Sequence, residues 1–288
     1  MTIKQLSDFI RTNLREYYPS DEISQLIYLI LNHLLNYSKI DIHLNEHFQI
    51  PDKTYKQTQG IVLQLKNNKP IQYILGETEF YGLRFYVNSS VLIPRPETEE
   101  LVRWIIDDNK QKHIKILDIG TGSGCIAVTL AKFIHNAKVT ATDLSQDAIS
   151  VSEKNAKLNG VRVDVFKHDI LSGRSFVSDG DFDLVVSNPP YVLKSEAVIM
   201  GENVKNHEPG EALFVDDDDP LIYYRSILRF CKNYLKEQGL IYFEINEIMG
   251  LSIKKLIADS GFDDIMLRKD LSGKDRMVRA RLSVKSKE

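Results

Sequence analysis

Asn188-Pro189-Pro190-Tyr191, directly after the apolar run Leu184-Val185-Val186, sets an amide, two backbone carbonyls and an aromatic ring at the end of a strand. Proline fixes its own φ and disfavours helix in the residue before it, so the tetrapeptide is a stiff, extended turn whose groups are already aimed. An NH2 group on a carbonyl is a poor nucleophile because its lone pair is delocalised, and it improves when both hydrogens are given to strong acceptors. The Asn188 side-chain oxygen and the Pro189 carbonyl are two such acceptors, while Tyr191 can stack on the planar group. The chemistry this suits is methylation of a planar NH2; for the tetrapeptide alone, the competing reading is an ordinary Pro-rich turn.

A second segment, Asp118-Ile119-Gly120-Thr121-Gly122-Ser123-Gly124, leaves a strand and enters a helix that opens Cys125-Ile126-Ala127. Glycines in that position permit tight turning and close backbone approach to a ligand. A dinucleotide fingerprint spaces them G-x-G-x-x-G; here they run G-x-G-x-G and the helix starts at once, which favours S-adenosyl-L-methionine (SAM) over a nicotinamide dinucleotide. The competing reading is that the glycines only pack helix on strand. Asp143 ends the next strand, where an acceptor-only carboxylate suits the two hydroxyls of a ribose, with Ser145 or Asp147 left to serve the following helix start. Asp169 ends the third strand, placed either to accept from an adenine amino group with Ile170 against the ring, or to cap a loop.

These groups need a frame. Ile3, Leu6, Phe9, Ile10 and Leu14, then Ile23, Leu26, Ile27, Ile30, Leu31, Leu34 and Leu35, recur at three-to-four spacing and predict helices, the second capped by Ser20, and a third opens at Pro51-Asp52-Lys53 before Pro70 breaks the pattern. Between Tyr73 and Pro96 the period changes to two around Gly82, which predicts a β-hairpin. Strands and helices then alternate: strands at 114–118, 138–143, 161–166, 184–187, 240–244, 265–267 and 277–282, and helices at 125–135, 147–159, 221–235 and 247–260. Such alternation builds a parallel sheet with helices on both faces. The expected organisation is therefore an α/β protein: a helical domain over residues 1–72, a hairpin linker over 73–96 and a catalytic domain over 97–288.

The 288 residues carry a net charge of −3, which gives no field for holding phosphates and argues against a nucleic-acid substrate. The two cysteines, Cys125 and Cys231, form neither a CxxC nor a metal-spaced cluster, and no apolar run approaches the length of a membrane span. A reduced cytosol fits. Asp216-Asp217-Asp218-Asp219 before Pro220 reads as a solvated turn and helix cap rather than a metal site.

With these residues in hand, the chain resembles the glutamine-N5 protein methyltransferases of the HemK/PrmC type, which modify the Gly-Gly-Gln loop of class 1 peptide chain release factors. The likeness rests on the two motifs above and on Pro70-Ile71-Gln72-Tyr73-Ile74-Leu75-Gly76, Phe80-Tyr81-Gly82, Leu92-Ile93-Pro94-Arg95-Pro96-Glu97-Thr98-Glu99, Glu208-Pro209, Ala212-Leu213 and Glu244-Ile245. It implies a class I SAM-dependent methyltransferase fold, Rossmann-like, with a mostly parallel seven-stranded sheet that has an antiparallel strand near the C-terminus. It implies that Gly120, Thr121, Gly122, Ser123, Gly124, Asp143, Asp169, Ile170 and Asn188 bind SAM, that Asn188, Pro189, Pro190 and Tyr191 hold the glutamine, and that Asn188, Pro189 and Tyr191 are catalytic. The expected product is S-adenosyl-L-homocysteine, and no metal is expected to take part. The protein is expected to be a cytoplasmic monomer acting on release factors, without direct contact to nucleic acid or membrane. Many relatives carry an aromatic where Ile170 stands, and Glu247 sits where Gln is frequent. Methylation of a ribosomal-protein glutamine, adenine-N6 methylation of DNA and a non-catalytic SAM sensor are the competing readings.

Overall fold

Apolar spacing decides the first helices. In the computed structural model, which describes residues 1–109, 113–174, 176 and 182–284, α1 (Ile3–Leu14), α2 (Ser20–Leu35), α3 (Lys39–Leu44), α4 (Asp52–Lys66) and α5 (Ile71–Leu75) come in succession. The chain divides into two units, residues 1–76 with 201–207, and residues 77–200 with those from 208 on. In the first, Ile3, Leu6, Ile10 and Leu14 of α1 share one buried cluster with Ile23, Ile27, Ile30 and Leu31 of α2 and with Ile61, Val62 and Leu65 of α4. Thr2 opens α1 through a reciprocal capping box with Gln5, the Gln5 amide donating to Thr2 Oγ1 at 3.3 Å and the Thr2 amide to Gln5 Oε1 at 2.9 Å. The cap expected at Ser20 does not form. Pro19 takes that position without a side-chain bond and Ser20 is already helical, so Asp21 and Glu22 meet the positive end of α2 instead.

In the second unit, β1 (Glu77–Phe80) pairs antiparallel with β2 (Leu83–Tyr86). The intervening Tyr81 and Gly82 both have positive φ, 51° and 71°, which a two-residue primed turn requires. Glycine adopts this freely. Tyr81 is held there because its amide donates to Glu99 Oε1 at 2.8 Å and its ring packs edge-on against Phe133. Sequence periodicity gives no element between Pro96 and Ile114, yet the chain forms α6 (Pro96–Asn109). Pro96 occupies the first helical position, where a missing N–H is no loss, and Glu97 and Glu99 face the positive helix end.

Alternation follows as expected: β3 (Lys115–Ile119), α7 (Cys125–Phe133), β4 (Lys138–Asp143), α8 (Gln146–Leu158), β5 (Val163–Lys167) and β6 (Phe182–Ser187). A small parallel pair, β7 (Val192–Leu193) with β8 (Phe214–Val215), brackets α9 (Glu202–His207) and α10 (Gly210–Leu213). Helix α9 belongs with the first unit, where Asn68 Nδ2 donates to Glu202 Oε2 at 2.9 Å and His207 Nε2 to the Asn67 carbonyl at 3.2 Å. Then come α11 (Ile222–Tyr234), β9 (Leu235–Glu244), α12 (Gly250–Asp259), β10 (Phe262–Lys269) and β11 (Asp275–Leu282). The main sheet has, among the described residues, seven strands in the order β10-β11-β9-β6-β3-β4-β5. Its parallel run spans β9 to β5, and β11 is antiparallel to both its neighbours.

Period-two alternation supplies the two cores. Ile116, Leu184, Val186 and Tyr242 face one layer, and Leu117, Val185, Ile241 and Phe243 the other. The register then places the functional edge: Ile119 lies opposite Thr142 on one side and Ser187 on the other, and Ser187 lies opposite Phe243. The segments beginning at Gly120, Asp143, Asn188 and Glu244 therefore emerge together at the carboxyl ends of neighbouring strands, where open α/β sheets bind ligands.

Candidate active site

The glycine turn is built from its backbone. The Gly120 and Thr121 amides both donate to the Thr142 carbonyl, at 2.8 and 2.9 Å, and the Gly124 amide donates to the Thr121 carbonyl at 2.8 Å. Gly120, Gly122 and Gly124 all have positive φ. A Cβ at Gly120 or Gly122 would meet no atom within 4 Å, whereas one at Gly124 would stand 2.5 Å from Ser152 Oγ, so the first two line an open cradle and the third allows α8 to pack closely. Thr121 and Ser123 are buried, and the Thr121 hydroxyl donates to Asp118 Oδ2 at 2.7 Å. These two residues offer a ligand their backbone rather than their side chains.

Asp118 is fully buried beneath the turn, and its Oδ1 has no hydrogen-bond partner. Burial raises its pKa to about 7, against the lowering effect of the Thr121 hydroxyl and the Ala127 amide and with a further push from Asp143. Asp143, at the end of β4, accepts from the Gly122 amide with Oδ2 at 2.8 Å and from the Ser145 amide with Oδ1 at 2.9 Å. A carboxylate has about four lone-pair sites, so two bonds leave room for two hydroxyl donors. Ser145 serves as the cap of α8, its Oγ accepting from the Ala148 amide. Asp169 caps a 3-10 turn, Oδ1 accepting from the Leu171 amide at 2.8 Å, and Ile170 is half-buried beside it.

The Asn188 turn leaves β6 next to the glycine turn and is anchored from beneath. Asn188 is half-buried and its Nδ2 donates to Thr98 Oγ1 at 3.3 Å. Thr98, from the first turn of α6, donates in turn to Glu244 Oε2 at 2.7 Å, and the Tyr191 hydroxyl donates to Glu244 Oε1 at 3.0 Å. The Tyr191 carbonyl accepts from Asn246 Nδ2 at 3.3 Å. Glu244, at the end of β9, is 1% exposed. Its pKa is raised by burial, and the bonds from Thr98 and Tyr191 and the charge of Arg276 oppose that rise. Burial also lifts the Tyr191 phenol far above its usual range, so it is a hydroxyl donor throughout.

Thr98 and Glu244 are thus members of the site that the motif reading assigns no role. Their partnership spans 146 residues of sequence, and the missing signal was the helix that carries Thr98. Asn155 of α8 is another: it donates to the Tyr86 and Ser123 carbonyls at 2.9 and 2.8 Å and accepts from the Tyr86 amide at 2.7 Å, tying the hairpin to the glycine turn. Arg95 pairs with the buried Glu208 at 2.6 Å, a structural bond within the second unit. The aspartate tetrad is not the cap of α11, whose cap position is Leu221; Asp219 instead accepts from both terminal guanidinium nitrogens of Arg225, at 2.9 and 3.0 Å.

A family model described as the PrmC N-terminal domain matches residues 5–76, and one described as the methyltransferase small domain matches residues 98–205. A release factor glutamine methyltransferase of Flavobacterium psychrophilum is 43% identical over 283 residues, covering 97% of this chain and 99% of its own. The chain belongs to the release factor glutamine methyltransferase family. A second release factor glutamine methyltransferase, from Bacteroides thetaiotaomicron, is 39% identical over 96% of this chain and 99% of its own. A crystal structure of a methyltransferase from Pyrococcus furiosus shares the fold, with a TM-score of 0.52 and 19% identity over 78% of this chain and 98% of that one. Release factor glutamine methyltransferases are SAM-dependent enzymes, and the residues at this sheet edge fit that cofactor. The open faces of Gly120 and Gly122 leave space for it, and the partnerless Asp118 Oδ1 suits a cationic group.

Proposed function

We propose that this methyltransferase transfers the methyl group of SAM to the side-chain amide nitrogen, N5, of the glutamine in the Gly-Gly-Gln motif of class 1 peptide chain release factors. One observation carries the reading: the Asn188 turn leaves β6 at the same sheet edge as the glycine turn leaving the neighbouring β3. Gly120, Thr121, Gly122, Ser123 and Gly124 would cradle the cofactor, Asp143 would accept from its ribose, Asp169 and Ile170 would meet its adenine, and Asn188 would contact both cofactor and substrate. When bound, SAM supplies a methyl group on a sulfonium that departs as a neutral thioether, chemistry that calls for no metal.

The chain's own work is positioning. Asn188 Oδ1 and the Pro189 carbonyl accept the two hydrogens of the glutamine NH2, directing its nitrogen lone pair at the methyl group. Pro190 fixes the turn. Tyr191, its hydroxyl tied to Glu244, holds its ring against the planar amide. Such alignment of reactants is worth roughly 7 to 11 kcal/mol in favourable cases. The nitrogen gives up one proton to water after the new bond forms, so no base has to act before transfer. The helical unit, residues 1–72, helps grip the protein substrate; the enzyme works as a cytoplasmic monomer, on protein and not on nucleic acid.

Tritium transfer from labelled SAM to purified release factors, with a ribosomal-protein fraction and DNA as competing acceptors, tests this. Wild type labels the release factors, and Asn188→Ala loses nearly all transfer while still binding SAM appreciably. Unchanged turnover in Asn188→Ala, or preferential labelling of either competitor, overturns the reading.

A further inference from the structure

We propose that Thr98 and Glu244 act as positioning residues: through a one-way hydrogen-bond chain they fix which end of the Asn188 carboxamide faces the substrate. The proposal rests on the assignment of Asn188 to the substrate amide made above and goes a step further, to what sets its orientation.

The direction of the chain follows from counting protons. Both carboxyl oxygens of Glu244 act as acceptors in this arrangement. Glu244 receives hydrogen bonds from Thr98 Oγ1 on one oxygen and from the Tyr191 hydroxyl on the other. Thr98 has a single hydroxyl proton, and the 2.7 Å contact to the carboxylate uses it. What remains on Thr98 Oγ1 is lone pairs, so the group 3.3 Å away on Asn188 must be the NH2 and not the carbonyl. A carboxamide is planar with its two ends on opposite sides of one carbon. Its oxygen is therefore turned away from the buried Thr98 and Glu244, which are 2% and 1% exposed.

Orientation decides chemistry here. With oxygen outward, Asn188 accepts from an incoming NH2 and repels the oxygens of a carboxylate, so glutamine is admitted and glutamate refused. Turned over, Asn188 would set its own NH2 against the substrate NH2, donor against donor, and the lone pair would lose its alignment. Without the Thr98 hydroxyl, the Asn188 side chain loses the bond that, among the described residues, distinguishes the two orientations. The electrostatic setting of Glu244 is shared by Arg276, Glu97 and Tyr191, with the Tyr224 hydroxyl on its backbone carbonyl at 3.0 Å.

The test compares Thr98→Val, which keeps the shape and removes the hydroxyl, with Thr98→Ser, which keeps the hydroxyl. Methyl transfer to a release factor is measured beside SAM affinity by calorimetry, and the side-chain amide signals of Asn188, identified by their absence in Asn188→Ala, are followed by NMR without cofactor. The valine variant should lose at least about tenfold in kcat, the size of one lost buried hydrogen bond. It should hold SAM as wild type does and show an Asn188 NH2 pair that exchanges freely with solvent. The serine variant should stay within about threefold of wild type, since the bond is retained. Thr98→Ala gives the same comparison should the valine variant not fold. A hydroxyl-free variant with the wild-type kcat, an Asn188 signal indifferent to Thr98, or a serine variant as impaired as valine overturns the positioning role while Asn188→Ala remains inactive. An active Asn188→Ala overturns it together with the functional reading beneath it.

Discussion

Asp118 is the residue whose ionisation most directly marks the glycine turn. Its carboxyl is fully buried, with one oxygen bonded to Thr121 and the other unpartnered. Its pKa rises from 3.8 in the unfolded reference to about 7, chiefly by desolvation. The folded state thus holds the proton more tightly than the unfolded chain. The stabilisation linked to it is complete below the unfolded value and is lost as pH rises through the folded one. Asp118→Asn lacks this loss. In cofactor-free protein, the stability of Asp118→Asn relative to wild type should grow between pH 4 and pH 8, by about 4 kcal/mol for a fully buried group. Urea unfolding of both proteins at several pH values checks it; a difference that stays flat across that range removes the claim. The reading of Asp118 as the partner of a cationic ligand group predicts that added SAM narrows the gap, because the bound cation favours the ionised carboxylate.

At the scale of elements, α8 joins two parts that the sequence keeps apart. Asn155 holds both the amide and the carbonyl of Tyr86 in β2 and the Ser123 carbonyl in the glycine turn, so the hairpin braces the cofactor cradle from behind. Asn155→Leu removes the partner of three backbone groups, the buried Ser123 carbonyl and the half-buried amide and carbonyl of Tyr86, and should destabilise the protein by about 2 kcal/mol or more. Amide exchange at Gly120 to Gly124 should quicken with it. If melting and exchange both match wild type, the bracing role is wrong. Much at this scale was legible beforehand. The three-to-four repeats of α1 and α2, the hairpin around Gly82 and the alternation from β3 to β11 all carry one period over several residues, and period is what backbone geometry imposes. Helix α6 was not, because Pro94-Arg95-Pro96 reads as a break until Pro96 is recognised as the first residue of a helix. Neither were the roles of Thr98, which the resemblance names only as part of a motif, and of Asn155. Threonine and asparagine have no period, and their partners lie 146 and 69 residues away, brought near only by the register of the sheet.

For the whole molecule, the decisive arrangement is the order of strands. The motifs at 118–124, 143 and 188–191 became one site because β3, β4 and β6 are neighbours with their carboxyl ends level. Single-sequence reading supplies the strands, and the family resemblance a mostly parallel seven-stranded sheet with an antiparallel strand near its end, while the order and the pairing depend on contacts between distant segments. Strand β11 shows this most clearly: it follows β10 in the chain but lies between β9 and β10. It contributes to both cores, Met277 to one layer and Val278 and Ala280 to the other, each fully buried. A chain stopped after Lys274 loses the strand that joins β10 to the rest and uncovers the edge of β9, an open invitation to pairing between molecules. Such a chain should lack a cooperative melting transition and aggregate at concentrations where the full protein is monodisperse, which calorimetry and light scattering would reveal. During synthesis the same arrangement makes β10 wait. Having emerged from the ribosome, it has no strand neighbour to join until the segment made after it arrives, so the sheet is zipped from the inside only when that later strand is free.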